Sequence, residues 1–305
     1  MLSDSPRENR HDIVFITVIL LPLIILVGIL IYLPAVDSLI VSFTNENLRI
    51  RRLPKFIWLE NYSKLLENSE FWIVTARSLL VVALTLPLEL LISLGLALLL
   101  TEVFPGRAMV RTLVLLPWML PPIVNGFLWG WLLNGEYGAL NGLLYQLGII
   151  DEYVTWLRNP DTQVIWVAVV QTWTRFAFPT IILLAGLQSI PKDLIDAAKV
   201  DGASSWQSFK SIVLPLLMPS FAIALTIEFI AAFQIFDVIW TLTAGGSAGG
   251  AINPFTKTLM LYNYELVFRD LRIGLGAALS YLILFLSLGV AIVFVTRLYN
   301  QAVKS

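Results

Sequence analysis

The sequence predicts an all-α integral membrane protein that crosses the bilayer six times. Hydrophobic residues make up 58% of its 305 positions and charged residues only 13%, whereas about 25% of the residues of a soluble domain are charged. The mean hydropathy is +0.81. A helix needs about 20 apolar residues to cross a bilayer, and six stretches are long enough. These predicted spans are residues 13–33, 73–100, 110–132, 164–187, 214–240 and 273–296.

Three of the spans have features that refine this prediction. The first is longer than the apolar core of a signal peptide, so we expect it to remain uncleaved. The third contains Pro117, Pro121 and Pro122, which predict a kink, because membrane helices tolerate proline where neighbouring groups satisfy the freed carbonyls. The sixth begins with small residues at 274–280, which suit close helix packing.

The composition argues against several functional classes. A net charge of −1 argues against binding to nucleic acid, which requires a strongly basic surface. The chain has no cysteine, which excludes disulfides, thiol catalysis and thiolate metal sites. Its single histidine, His11, precedes the first span among charged residues, and we expect it to be solvated. We therefore predict that this chain has no catalytic residue, no metal site and no cofactor of its own.

An even number of spans places both termini on one side of the membrane. We expect that side to be the cytoplasm, because its connecting segments are shorter and therefore denser in Lys and Arg. Residues 1–12 and 301–305 would then be cytoplasmic tails of a transmembrane domain at 13–300. On the outer side, the loop 133–163 is rich in turn formers, and the glycine-rich tract 244–250 is expected to be flexible.

The polar segment between the fourth and fifth spans is the most informative feature of the chain. Pro191 can open a helix there, because its missing N–H is one of the unpaired donors of a helix start. Asp201 and Gly202 then end that helix, since glycine adopts a positive φ without strain. A second short helix over about residues 204–213 leads back into the membrane. Residues 188–215 are thus predicted to form a helix–turn–helix on the cytoplasmic surface.

In this segment Asp196, Ala197 and Ala198 precede Gly202, and Ile212, Leu214 and Pro215 complete the pattern. This spacing resembles the EAA loop, the cytoplasmic coupling loop of ABC importer permeases. The resemblance implies that a separate ATPase subunit docks here and that this chain is not itself an enzyme. Asp196 departs from the family pattern, which usually has glutamate, and presents its carboxylate on a shorter arm. The residues to which the resemblance assigns ATPase coupling are Asp196, Ala197, Ala198, Asp201, Gly202, Phe209, Ile212 and Pro215.

A wider resemblance, over about residues 10–300, is to permeases of the maltose-type, carbohydrate-uptake group. It implies a type I importer in a bacterial or archaeal inner membrane, in which this chain is the F-like member of a heterodimeric pair. The implied partners are a second homologous permease, an ATPase dimer that binds ATP and Mg²⁺, and an external solute-binding protein. The matching segments are 61–62, 116–118, 129–134, 136–138, 141, 173, 186–191, 236–237, 242–243, 245–246 and 274–280.

Ionisable residues inside membrane spans cost about 2.5–3.5 kcal/mol each on insertion scales, so each is a candidate functional residue. Here they include Glu89, Arg175 and Glu228. Arg175 and Glu228 either contact substrate or pair to join two helices, while Glu89 is expected to make a polar contact between helices. The resemblance places sugar-contact positions at Trp118, Pro122, Gln171, Thr174, Arg175, Phe178, Glu228, Ala232 and Ile235.

Three alternatives remain open at this stage. The substrate of a type I importer can be a non-sugar solute such as a glycerophosphodiester, which Arg175 would suit. A self-contained secondary transporter would show inverted repeats with broken helices, and the sequence has no such symmetry. A membrane-embedded enzyme would need a convergent His, Asp or Ser constellation, which one terminal histidine and scattered carboxylates do not supply.

Overall fold

The chain folds into helices, as predicted. The computed structural model describes residues 6–50, 53–158, 160–244 and 254–304, and within these ranges the only β structure is one isolated bridge. The all-α class is therefore confirmed. The predicted flexible tract 244–250 lies, from residue 245 onward, outside the described residues.

The α-helices of the described ranges differ widely in length, from a single turn to more than thirty residues. Their bounds are α1 Pro6–Val27, α2 Leu33–Ser42, α3 Glu60–Glu67, α4 Ser69–Thr101, α5 Arg107–Met119, α6 Pro122–Leu132, α7 Ala139–Gln146, α8 Pro160–Arg175, α9 Ala177–Gln188, α10 Lys192–Val200, α11 Ser205–Ser208, α12 Leu214–Phe233, α13 Asp237–Ile239, α14 Leu259–Tyr264 and α15 Ile273–Lys304. π-helical turns continue several of them at Gly28–Tyr32, Phe209–Val213, Trp240–Ala244 and Glu265–Arg269.

All six predicted spans fall on helices, but they take two forms. Four are unbroken apolar runs, at Phe15–Ser42, Ser69–Thr101, Ser205–Phe233 and Ile273–Arg297. The third and fourth predicted spans are bent helix pairs, α5 with α6 and α8 with α9, and six spans result if each pair crosses once. The fifth span ends at Phe233, short of the predicted residue 240, because a break separates α12 from α13.

Proline explains both bends. In the third span α5 and α6 meet at 95°, where Pro121 and Pro122 follow an extended Leu120. This confirms the predicted kink. In the fourth span α8 and α9 meet at 50°, and that bend was not predicted. Pro179 supplies the reason, because a proline cannot donate to the carbonyl four residues earlier, which here belongs to Arg175.

The first and fifth spans accommodate proline without a bend of this kind. Pro34 and Pro215 each lie at the start of an α-helix that directly follows a π turn. A π turn shifts the hydrogen-bond ladder locally, and such bulges are one of the known ways in which a helix absorbs an irregularity. The second helix of the polar segment therefore continues into the fifth span without interruption.

The described residues form two compact units. The first contains the residues up to Glu67 together with Tyr264–Tyr281, and the second contains Asn68–Asn263 and the residues from Leu282 onward. In the first unit the buried Asn61 donates to the carbonyls of Ser42 and Thr44 at 2.8 and 2.7 Å. These bonds satisfy backbone acceptors at the end of α2, where a helix leaves its last carbonyls unpaired.

Helix α4 is the centre of the second unit and packs against α8, α9 and α12. Towards one end, a core cluster joins Ala97 of α4 to Leu183 and Leu187 of α9 and to Leu217 of α12. The helices approach closely here, because a Cβ atom at Gly186 would overlap the Ser220 side chain. A second cluster, towards the other end, contains Val81, Val167, Val170, Ile235, Val238, Ile239, Leu242 and Leu261.

Candidate functional sites: a surface loop and a buried ion pair

The predicted helix–turn–helix is present between the fourth and fifth spans. Helix α10 ends at Val200, and Gly202 follows with φ of +81°. The turn is closed by the amide of Ala203, which donates to the carbonyl of Ala198 at 2.9 Å. This is the pattern by which a left-handed residue ends a helix and satisfies its carbonyls. The predicted break at Asp201 and Gly202 is therefore confirmed in position and conformation.

The second helix of the loop starts from a capping box. The Ser204 hydroxyl accepts from the amide of Gln207 at 3.3 Å, and the Gln207 side chain accepts from the amide of Ser204 at 2.7 Å. Two amides that a helix start leaves unpaired are satisfied in this way. The orientation of α11 relative to the turn is thus fixed by residues inside the loop, and sequence analysis overlooked this signal.

Side chains of the loop divide into exposed and anchoring sets. Asp196 and Ala197 are exposed, and the Asp196 carboxylate accepts from the Lys199 ammonium at 3.1 Å. Val200 is 88% exposed and Trp206 is 69% exposed. The predicted coupling residues that lie half-buried are Ala198, Phe209, Ile212 and Pro215, while Asp201 and Gly202 are exposed.

The loop is attached to the transmembrane core by apolar contacts. Ile195 of α10 and Val213 of the π turn pack against the buried cluster that contains Ala97, Leu187 and Leu217. Trp206 stacks on Phe209 with ring centroids 5.6 Å apart. The loop is therefore in direct contact with the core cluster formed by α4, α9 and α12. Ile195 and Val213 have a positioning role that the sequence motif does not indicate.

In the membrane-spanning part, Arg175 and Glu228 form a buried ion pair. The Arg175 Nε and a terminal guanidinium nitrogen donate to the two Glu228 carboxylate oxygens at 2.6 and 3.3 Å. The Glu228 side chain is fully buried, whereas the Arg175 side chain is 24% exposed. The pair joins α8 to α12, which is one of the two interpretations drawn from sequence, and part of the guanidinium remains exposed.

Two of the predicted substrate positions, Trp118 of α5 and Phe178 of α9, lie next to each other in the structure. Their ring centroids are 5.7 Å apart, and the planes are inclined by 33°. Trp118 is 44% exposed and Phe178 is half-buried. An aromatic surface of this kind suits the apolar face of a sugar ring.

Most of the remaining predicted substrate positions lie within the packed structure. Gln171 and Thr174 are buried on α8, and Ala232 is buried on α12. Ile235 belongs to the core cluster around Val238, so it contributes to packing in this conformation. Pro122, by contrast, is exposed at the start of α6. Of all the predicted substrate positions, those that are at least partly exposed are therefore Trp118, Pro122, Arg175 and Phe178.

An apolar groove runs along the bent pair α5–α6. Its volume is about 1000 Å³, and Trp129, Trp131 and Trp173 line it. Among the described residues that line the groove, none is a predicted substrate position, although Pro117 and Trp173 are sequence neighbours of Trp118 and Thr174. Asn125, at the floor of the bend, donates to the carbonyl of Pro117 at 2.9 Å.

Glu89 of α4 differs from the expectation drawn from sequence. Its side chain is fully buried, and both of its carboxylate oxygens lack a hydrogen-bond partner among the described residues. Glu89 lies on the same face of α4 as Ser93, whose hydroxyl bonds to the carbonyl of Phe176, the residue after Arg175. Since α4 packs against α8 and α12, one guanidinium and two carboxyl groups lie in the region where these three helices pack.

Comparison with known proteins identifies the family. The model for binding-protein-dependent transport system inner membrane components matches residues 89–305. The trehalose/maltose transport system permease protein MalF of Thermococcus litoralis is 37% identical over 275 residues, which cover 90% of each chain. The sulfoquinovosyl glycerol transport system permease protein SmoG of Agrobacterium fabrum is 33% identical over 293 residues, covering 95% of this chain and 93% of SmoG.

A further relative and a solved structure agree with this result. The trehalose transport system permease protein SugA of Mycobacterium tuberculosis is 30% identical over 266 residues, covering 87% of this chain and 82% of SugA. A chain in the crystal structure of a bacterial ABC transporter involved in alginate import matches with a TM-score of 0.76 at 24% identity, covering 98% of both chains. That likeness shows a shared fold. The chain belongs to the family of binding-protein-dependent transport system inner membrane components, the permeases of ABC importers.

Proposed function

We propose that the chain is a permease subunit of an ATP-driven importer for a sugar, such as a disaccharide, an oligosaccharide or a related polyol. Three relatives at 30–37% identity, which this chain covers almost entirely, are named for trehalose, maltose or sulfoquinovosyl glycerol transport, and this supports a saccharide as the substrate. Family membership as a binding-protein-dependent component argues against a self-contained secondary transporter.

We propose that α10, the turn and α11 form the joint with a separate ATPase subunit. The exposed Asp196, Ala197, Val200 and Trp206 offer a carboxylate, a small surface and two apolar contacts to a partner groove. ATP and Mg²⁺ would bind on that ATPase, and this chain would hold no cofactor. Closure of an ATPase dimer would then move the loop and, through Ile195, the helices of the transmembrane core.

The remaining partners follow from the exposed surfaces. No residue in the most hydrophobic window of the apolar run Phe15–Ser42 is buried, which suits contact with lipid and with a second, homologous permease subunit. The loop around α7, between the third and fourth spans, would face an external solute-binding protein. Both termini, and with them the short segments of residues 1–12 and 301–305, would then lie in the cytoplasm of a bacterial or archaeal cell.

Substrate recognition would combine stacking with charge-assisted hydrogen bonds. Trp118 and Phe178 would cover an apolar sugar face, and Arg175 would donate to hydroxyl oxygens while Glu228 holds it in place. Alternating access would expose this site to one side of the membrane at a time. A second candidate, a non-sugar anion such as a glycerophosphodiester, is favoured by the partly exposed guanidinium of Arg175.

The test is uptake by the complete complex in lipid vesicles, with its partner permease, ATPase and binding protein. ATP-dependent uptake is measured against a panel of sugars and glycerophosphodiesters, with ATP hydrolysis recorded in parallel. We expect one saccharide to stimulate both activities and expect Asp196→Arg with Gly202→Pro to uncouple them. Stimulation by a glycerophosphodiester alone would select the second candidate, and a complex that forms without any ATPase would refute both.

A further inference from the structure

The charge cluster between α4, α8 and α12 holds more acid than base. The carboxylate of Glu228 accepts two hydrogen bonds from the guanidinium of Arg175, at 2.6 and 3.3 Å. Glu89 is fully buried on α4, which packs against both α8 and α12, yet neither of its oxygens has a hydrogen-bond partner among the described residues. A buried carboxyl group without a partner destabilises the state in which it is left unpaired. Its presence is explained if Glu89 gains a partner in another state.

Arg175 lies at the bend of the fourth span. It is the last residue of α8, and the 50° bend into α9 begins at the next residue. Pro179 cannot donate to the Arg175 carbonyl, so the backbone ladder is interrupted at this point. The position of the guanidinium therefore depends on the angle of the bend, and a change in that angle would move it between its neighbours.

Helix α4 already contacts this bend one turn away from Glu89. The Ser93 hydroxyl donates to the carbonyl of Phe176 at 2.7 Å, so α4 is hydrogen-bonded directly to the break between α8 and α9. Residues four apart on a helix lie on the same face, so Glu89 and Ser93 both face the junction of α8 and α9. A carboxyl group without a partner thus lies next to the joint that carries the cluster's guanidinium.

We propose that Arg175 exchanges its carboxylate partner during transport, from Glu228 of α12 in this conformation to Glu89 of α4 in the opposite one. Each arrangement contains one ion pair and one unpaired carboxyl group, so the exchange neither adds nor removes an ion pair. A ligand or nucleotide that binds the two states with different affinity can then shift the equilibrium between them. The exchange rests on the proposed function, because it presupposes alternating access.

The experiment measures the two conformations directly in the complete complex in lipid. Because the chain has no native cysteine, spin labels at Ile165→Cys and Ile181→Cys, exposed on either side of the bend, report its angle as a distance distribution. Glu89→Gln should shift the population ratio towards this conformation, and Glu228→Gln should shift it the other way, each by about fivefold or more. Thr85→Val is the control, because Thr85 lies one turn before Glu89 and its hydroxyl bonds only within α4. This variant should leave the ratio of the two conformations unchanged.

Two further variants sharpen the result. In an Arg175→Gln background, neither glutamate substitution should change the ratio, because the shared cation is gone. Glu89→Asp keeps a carboxylate, so its ratio of the two conformations should lie between that of the wild type and that of Glu89→Gln. Equal ratios for wild type, Glu89→Gln and Glu228→Gln, or shifts in one common direction, would overturn the exchange.

Failure of the proposed function has a separate signature. It would appear in the wild-type complex itself, as no ATP-dependent uptake of any solute tested. The partner exchange alone would be refuted if the wild-type complex transports solute and its label distance changes with nucleotide, while the glutamate variants keep the wild-type population ratio.

Discussion

At the scale of single residues, the Arg175–Glu228 pair has two separable roles. The carboxylate is fully buried and hydrogen-bonded, so the pair joins α8 to α12 whatever else it does. The guanidinium is partly exposed, so it can also meet a substrate. Stability and transport therefore need to be measured on the same variants.

We predict that Arg175→Ala abolishes uptake and lowers the unfolding temperature of the complex, because it leaves Glu228 buried without a partner. Removing one member of a buried pair typically costs about 3–5 kcal/mol. The double variant Arg175→Met with Glu228→Leu should regain most of that stability, since no unpaired charge remains, but should not regain uptake. Uptake by the double variant at the wild-type rate would show that the pair serves packing alone.

At the scale of secondary structure elements, two local arrangements determine how the helices end. Gly202 has φ of +81°, and the space around its Cβ position is open. The penalty for a side chain there is therefore conformational and not steric. Asn125 plays a comparable part at the bend of the third span, where its amide reaches the carbonyls of Pro117 and Leu120 at 2.9 and 3.4 Å.

We predict that Gly202→Ala lowers the amount of solute transported per ATP hydrolysed, because a left-handed alanine costs about 1–2 kcal/mol and the turn would relax. Gly202→Asn is the matched control, since asparagine tolerates this conformation better. Transport and hydrolysis are measured together in vesicles, and the unfolding temperature of the complex should change little in either variant. If both variants transported the same amount of solute per ATP hydrolysed, the conformation of the turn would be unimportant for coupling.

For the bend of the third span, Asn125→Ala should destabilise the complex by about 1–3 kcal/mol, because the Pro117 carbonyl would lose its donor in an apolar environment. Asn125→Asp keeps the shape of the side chain but removes the amide donors, and should destabilise at least as much. Thermal unfolding in detergent measures both changes. A wild-type unfolding temperature for Asn125→Asp would mean that the carbonyls are satisfied in some other way.

At the scale of the whole molecule, the arrangement of spans determines which loops meet which partners. If the two bent pairs each cross the bilayer once, both termini and the helix–turn–helix of α10 and α11 share one side. The loop that contains α7 then lies on the opposite side. This topology is a prerequisite for an ATPase on one face and a binding protein on the other.

We predict that a fluorescent protein that folds only in the cytoplasm is bright when fused to either end of the chain. The same protein inserted after Gly148, in the exposed turn that follows α7, should be dark. Cell fluorescence normalised to protein amount provides the measurement, and uptake by each fusion controls for correct folding. A dark fusion at one end and a bright one at the other would require an odd number of crossings.

Much of the fold could be predicted, because a bilayer constrains a chain strongly. Apolar length located the six spans, and local chemistry located Gly202 and the kink among Pro117, Pro121 and Pro122. The bend at Phe176 was missed because a single proline, Pro179, is a weak signal inside an apolar run. The capping box of α11 was missed although Ser204 and Gln207 have the required spacing.

The candidate substrate site was predicted only in part. Sequence placed Arg175 and Glu228 inside spans, and the cost of burying charge made their pairing reasonable. It did not indicate that Glu89 joins them without a hydrogen bond, because residues far apart in the chain meet only after the helices pack. Burial of Ile235 in a core cluster has the same origin.

The sequence by itself determined that this protein is helical, that it crosses a membrane repeatedly, and that a helix–turn–helix separates its fourth and fifth apolar spans. These properties depend on local composition and on short-range hydrogen bonding. Only the tertiary structure decided which charged groups meet, which aromatic rings stay accessible and where α8 and α9 bend. Those properties arise from contacts between helices distant in sequence, and their free energies exist only once α4, α8, α9 and α12 are packed together.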